Sequence, residues 1–422
     1  MGKKFIIILI WFISLKIAVS ISTSENPDKI EIIKNYFSKN KEDEFKWGKD
    51  VILTMPGNSF IVAVTKELSF NIKTAFVIHD ENILNFDPNS LKIYSQNGNV
   101  LQGGLSSKLN LPDTFITKRN GGIKSVFIHN KKEFALISSL KDGCYYASII
   151  SLDSSKELLK TKCLPSKRVD FNGLGSSHIH HDGKILLSIG APEQASSSIR
   201  ALAQDHNSMF GKIIEINSND LNKIIEEEKT NLEFEIYTSG HRNPQGITKM
   251  NGSIFSVEHG PKGGDELNKI IKDKNYGWPI VSYGTQYVYD EKGKSYEVNH
   301  EKNQFEEPLF ALVPSVGISS VNKCPRKLNE YYKKPCILAL SLFGNSLRPG
   351  RSLIIYLLNE KMNAVNSVEK IHLIINPEND HLIMRHFVTN SKNELYEDAN
   401  GDIYVSVDRR GIYKLNFTGF RN

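Results

Sequence analysis

The chain has 422 residues, 40% hydrophobic and 24% charged, with 29 glycines and no long low-complexity stretch. That composition excludes a disordered or fibrous protein and fits a folded globular body. The net charge is +6, and Lys3, Lys4 and Lys16 lie in the first 20 residues, leaving +3 for the remainder; so small an excess, with no basic stripe interleaved with aromatics, argues against nucleic acid as a partner.

Lys3 and Lys4 precede an unbroken apolar run from Phe5 to Ile13, and small residues follow at Ala18 and Ser20. This layout predicts a secretory signal peptide over residues 1–20. The run falls short of the ~20 apolar residues needed to cross a bilayer, so no stable membrane span is expected after cleavage. Residues 21–422 are expected to form one exported domain, secreted or periplasmic. The four cysteines make two local couples, Cys144 with Cys163 and Cys324 with Cys336. In an exported chain, an even number at short separations favours disulfides in these pairings, with free buried thiols as the alternative.

Along the chain, helical stripes are few. Asn222–Lys229 and Glu266–Lys272 each have room for a helical turn or two. Elsewhere an Asp-Gly or Asn-Gly turn followed by alternating strand residues recurs: HHDGKILLSIG (180–190), MNGSIFSVEHG (250–260) and DANGDIYVSVDRRGIYKLNF (398–417), with weaker copies at 124–140 and 335–344. Such turns supply the positive φ angles of a tight hairpin, and β-branched and aromatic residues suit a pleated, half-buried surface. The first two turns are 69 residues apart and the next 149, about twice that interval. The spacing predicts about six units, an all-β, six-bladed β-propeller with long inter-blade loops, with a pair of β-sandwiches as the alternative.

The densest polar segment runs from Glu235 to Gly284 and falls on blade-connecting loops, where propellers carry their sites. Arg242 offers a fixed fork of donors, and Asn243 adds a donor and an acceptor. Gly260 and Pro261 can present consecutive carbonyls to a hard cation such as calcium. Asp265 and Glu266 form a second candidate cation site, against the plainer reading of a surface turn capping a helix. His259 is a candidate polar residue of the channel. His178 and His180 alternate along a strand and share a face, as a relocated base, a metal pair or, most simply, solvated residues on a hairpin.

GHRNPQG (240–246), EHGPKGGDELN (258–268), NYGWP (275–279), AQDHNSMFGKIIEIN (203–217) and NGGIKSVFIH (120–129) together resemble the soluble sugar dehydrogenases that use pyrroloquinoline quinone (PQQ), the glucose/sorbosone dehydrogenase family. The resemblance implies a PQQ- and calcium-dependent oxidoreductase acting on CH–OH donors, oxidising an aldose or alcohol and passing electrons to an acceptor that the sequence does not name. It assigns cofactor contacts to Asn120, Arg242 and Asn243, the cofactor's calcium to the carbonyls of Gly260 and Pro261, and a further calcium to Asp265 and Glu266. Arg242 would stabilise charge developing on the quinone oxygen.

The chain departs from the pattern where the family has its catalytic histidine. Counting back from Asp182-Gly183 lands on Asn172, and a neutral amide is no general base. A family lysine that follows a Ser-Leu pair falls at Phe343, and two family arginines before the last blade's strand fall at about Ser391 and Asn393. Lys118, Arg119, Arg348, Arg351, Lys392, Arg409 and Arg410 are nearby substitutes in sequence. The alternative function is a non-catalytic propeller that binds a saccharide or a protein partner.

Overall fold

The computed structural model describes residues 51–54, 60–80, 83, 85–164, 169–192, 197–227, 229–286, 296–342, 352–376, 380–381 and 383–420. The expected leader, Phe343, Arg348 and Arg351 lie outside them. The expected six blades are present. Blade 1 comprises Thr74–Ile78, Lys92–Ser95, Asn99–Gln102 and Leu105–Lys108; blade 2 comprises Ile123–His129, Lys132–Lys141, Cys144–Ser151 and Glu157–Lys160. Blade 3 is built from His178–His181, Lys184–Ile189, Lys212–Asn217 and Glu235–Ser239, and blade 4 from Pro244–Met250, Ser253–Glu258, Asp265–Ile270 and Phe310–Leu312. Blade 5 holds Ile318–Lys323, Cys336–Ser341, Ser352–Leu358 and Val365–His372. Blade 6 holds Met384–Phe387, Ile403–Val407 and Gly411–Thr418, and takes its next strand, Ile61–Ser69, from the start of the body. That antiparallel pairing of Ile61–Ser69 on Gly411–Thr418 closes the ring.

The sequence repeat is explained by one recurring corner. Asp182-Gly183 and Asn251-Gly252 each join the first strand of a blade to the second, with φ of 48° and 73° in one and 48° and 79° in the other. Both central residues of a type I′ turn need positive φ, which Asp, Asn and Gly tolerate. Blade 2 makes the same corner with Asn130 and Lys131. Blade 6 differs, because its first and second strands are separated by residues 388–402, and Asn400-Gly401 comes only at the end of that connection.

Apolar side chains gather where blades face each other. Ala75 and Tyr94 meet Val126 and Ile137 between blades 1 and 2, Leu186 and Ile213 meet Ile247 and Ile254 between blades 3 and 4, and Val77 and Ile93 meet Val388 and Ile412 between blades 6 and 1. Central strands are therefore covered on both faces and read as continuous apolar runs, as in Ser352–Leu358, buried at every residue.

Both expected disulfides are formed, Cys144 with Cys163 and Cys324 with Cys336. The helical expectations need correction. A helix does cover Ser218–Ile225, overlapping the first segment, but Glu266–Lys272 falls largely in the strand Asp265–Ile270. That strand is paired on both sides, with Ser253–Glu258 and Phe310–Leu312, which satisfies its backbone without a helix. Among the described residues, no helix is long and apolar enough to cross a membrane.

Candidate active site

Connections that enter the innermost strands lie at one end of the ring, which forms the mouth of the central channel. Arg242 stands there, just before Pro244–Met250. Its backbone N–H donates to Glu258 Oε2 at 2.7 Å, its side chain donates to the His259 carbonyl at 3.0 Å, and its guanidinium lies 5.3 Å from the centre of the Trp278 ring. Its Nε is buried with no partner among the described residues.

Glu258 organises this loop. It is buried, as is His241, whose Nδ1 lies 3.0 Å from Glu258 Oε1. Burial works against the Glu258 charge, but His241 and the amides of Arg242 and Asn243 outweigh it and hold the carboxyl below its ordinary pKa.

Asn243 ties the loop to its neighbours. Its Oδ1 accepts from the Gly175 amide at 2.8 Å and from Gln245 Nε2 at 2.8 Å, while its Nδ2 reaches the Asn172 carbonyl at 3.4 Å and His259 Nδ1 at 3.3 Å. Asn172 is exposed at the rim, its amide held by Asp170 Oδ1 at 2.8 Å. The same oxygen accepts from Asn120 Nδ2 at 2.9 Å, and the Asn120 carbonyl accepts from Lys124 Nζ at 2.6 Å. One hydrogen-bonded chain thus runs around the mouth from blade 4 through Asn172 and Asn120 to Lys124 on blade 2.

Asp265 and Glu266, the second candidate cation site, are both buried rather than on a surface turn. Asp265 Oδ2 accepts from the amides of Val316, Gly317 and Ile318 at 2.9, 2.6 and 3.1 Å, and Oδ1 from the Gly260 amide at 3.1 Å. Its carboxylate is engaged in fixing the Gly260 loop. Glu266 is buried opposite Glu258 on the neighbouring strand, with Asn268 Nδ2 bridging the two at 2.9 and 3.2 Å. Burial, and then the charge of Glu258, push the Glu266 carboxyl well above its ordinary pKa. Among the described residues, no group of three or more His, Cys, Asp or Glu side chains could hold a metal. The Gly260 loop turns so tightly that a Cβ at Gly260 would meet the carbonyl oxygens of Gly264 and Gly263 at 2.1 and 2.3 Å.

The arginine positions need re-siting. Ser391 and Asn393 lie in the 388–402 connection that leaves the innermost strand of blade 6, at the end of the channel opposite Arg242. From there Asn393 Nδ2 donates to the His178 carbonyl at 2.7 Å and approaches Ser177 Oγ at 3.2 Å, while its carbonyl accepts from Asn322 at 3.1 Å. Asn393 thereby forms the floor of an axial cavity also lined by Ser125, Ser177, Gln245, Ser320 and His386. His178 is correspondingly not a solvated hairpin residue. It is fully buried, with ring centres 5.3 Å from Phe76, 6.0 Å from Phe127 and 6.2 Å from His180, and burial together with His180 lowers its pKa to about 3.

The arginine on the innermost strand of blade 6 is Arg385, gripped by Asp408 through Nε at 2.7 and 2.8 Å. It has company. Burial and then Arg385 lower the pKa of Lys73, which precedes the first strand of blade 1, to about 8, and burial, Lys73 and Arg385 lower that of Lys124 to about 7. Register slips by one residue near the start of five innermost strands, at Ala75, Lys124, Gln245, Ser319 and Arg385. A bulge of this kind re-aims a side chain out of strict alternation, and two of the five residues are cations. Lys73, Lys124 and Arg385 were all absent from the nearby substitutes considered in sequence. With Arg242 they set four cations around one mouth, a donor set suited to a small polyanion with several carboxylates.

Comparison with known proteins bears on the family and the fold. The family described as Glucose / Sorbosone dehydrogenase matches residues 145–347. The chain is 30% identical over 276 residues to quinoprotein glucose dehydrogenase B of Acinetobacter calcoaceticus, covering 61% of this chain and 54% of that protein. It is 32% identical over 150 residues to aldose sugar dehydrogenase YliI of Escherichia coli, covering 33% and 38%. These matches span about half the length of those relatives or less. Among solved structures, a glucose dehydrogenase superposes with a TM-score of 0.59 at 20% identity over 85% of this chain and 99% of that one. The soluble aldose sugar dehydrogenase of Escherichia coli in its apo form gives 0.57 at 20%, over 84% and 99%. Both support the propeller fold.

Proposed function

We propose that this chain, which matches the glucose/sorbosone dehydrogenase family over residues 145–347, is a member of it and an exported oxidoreductase that oxidises an aldose or related alcohol with bound PQQ and calcium. The observation that carries this reading is the convergence of Lys73, Arg242 and Arg385 on the mouth. PQQ is a tricarboxylate, and cations on three sides of one opening offset its charge where water is partly excluded. The export half of the reading rests on the Lys3/Lys4 leader pattern together with the two disulfides.

Within this reading, Lys73 and Arg385 anchor carboxylates and Arg242 faces the reacting end. The cofactor supplies the hydride acceptor. Arg242 is held rigid by Glu258, the His259 carbonyl and the Trp278 face, so its charge is preorganised and its free Nε–H has somewhere to donate. Calcium would be held by the carbonyls of Gly260 and Pro261, on a loop that Asp265 fixes by accepting from the Gly260 amide.

The test is reconstitution: full-length protein with PQQ and calcium should bind the cofactor saturably and reduce a dye when aldoses are added. Absence of both would sink the enzyme reading. A second reading, a propeller that binds a saccharide or protein without turnover, is favoured by one observation, the exposed amide of Asn172 where the family has its base.

A further inference from the structure

A dehydrogenase of this kind must take a proton from the substrate hydroxyl as hydride leaves the carbon, and Asn172 cannot accept it. We propose that Lys124, at the mouth of the channel, is the general base of this protein, an inference that rests on the oxidoreductase reading above. Lys124 is the extra residue where register slips between Ile123 and Ser125, which takes its side chain out of the strand's alternation. Nζ is positioned by the Asn120 carbonyl at 2.6 Å. Asn120 in turn shares the Asp170 carboxylate with Asn172, at 2.9 and 2.8 Å, and Asn172 is linked to Asn243 beside Arg242. Lys124 and the vacated base position therefore belong to one hydrogen-bonded unit, which also reaches the proposed cofactor arginine.

The charges around Lys124 come from three directions. Lys73 faces it from blade 1, Arg385 from blade 6 with Asp408 gripping that arginine, and Asp170 from the connection before blade 3. Burial comes first, and the two cations reinforce it against the opposing pull of Asp170, which lowers the pKa of the amine to about 7. An amine that is neutral at working pH can accept a proton, whereas an ordinary lysine, with a pKa of about 10.4, cannot. In the step itself, the substrate O–H bond breaks with its proton going to Lys124 Nζ and the C–H bond breaks with hydride going to the quinone cofactor. The carbinol becomes a carbonyl, and the ammonium returns its proton to water at the mouth.

Two measurements on the full-length protein decide this. In the first, cofactor-free protein is acylated with acetic anhydride across pH and followed by mass spectrometry; Lys124 should reach half-maximal reactivity near pH 7. Reactivity following an ordinary lysine overturns the proposal whatever the activity. In the second, Lys124→Arg, which keeps the charge but not the base, is reconstituted with PQQ and calcium. It should bind cofactor within threefold of wild type, lose ~10²–10⁴ in kcat and lose the rise of kcat/KM through pH 7. Lys124→Met should behave alike in turnover, and adding Asn172→His to it should restore activity. An active Lys124→Arg protein refutes the role of Lys124 alone, whereas an inactive wild type refutes the dehydrogenase reading on which it depends.

Discussion

The mouth of the channel has two halves built on different principles. The blade 4 half, with Arg242, Asn243, Glu258 and Gly260, is local: its groups lie within 19 residues of one another and are locked by short-range hydrogen bonds to Glu258 and Asp265. The other half, with Lys73, Lys124 and Arg385, is assembled from blades 1, 2 and 6, more than 300 residues apart at the extremes. The first half is rigid through paired charges. The second gathers cations of which Arg385 is paired with Asp408, and the repulsion left among them is a cost that an anion bound there would offset.

The comparison can be broken by substitution. The largest effect is expected from Glu258→Ala, which strands His241 and frees the Arg242 loop; breaking a buried pair costs about 3–5 kcal/mol, measurable by denaturant unfolding, and an unchanged midpoint would show that the local half is not locked this way. Arg242→Ala should leave the fold intact but reduce dye reduction by ~10²–10³, the scale of a lost charge-stabilising donor. Lys73→Ala and Arg385→Ala should each weaken PQQ binding by ~10–100-fold in calorimetry, since a charge-assisted hydrogen bond contributes about 1.5–3 kcal/mol; full affinity in both would dissolve the long-range half as a cofactor anchor.

The smallest effect concerns Glu266. Its folded pKa is raised, so the folded protein binds a proton that the unfolded chain releases, and stability falls as pH rises from the ordinary carboxylate value through the raised one. Glu266→Gln should therefore melt higher than wild type at pH 7 without calcium, with the gap closing below about pH 4. Calcium that raises the melting point of wild type but not of Glu266→Gln would return Glu266 to a cation site.

The propeller was legible because blades 3 and 4 share a corner whose positive φ angles suit Asp, Asn and Gly, so Asp182-Gly183 and Asn251-Gly252 mark strand ends directly. The blade 4 loop was legible because its parts are contiguous. Arg385 was not, because residues 388–402 separate the first and second strands of blade 6, so its innermost strand lies well upstream of the Asn400-Gly401 turn. Lys73 and Lys124 carry no motif, and the register slip that turns Lys124 out of alternation is a property of strand pairing. Glu266–Lys272 looked helical because its alternation, Leu267 and Asn268 both buried, is that of a strand covered on two faces.

The 388–402 connection has a last consequence. Asn393 spans from the His178 carbonyl to Asn322 and so ties blade 3 to blade 5 across the axis. On the dehydrogenase reading, a molecule entering past Arg242 would meet this tie in its path, so substrate and product would share the opening they came by.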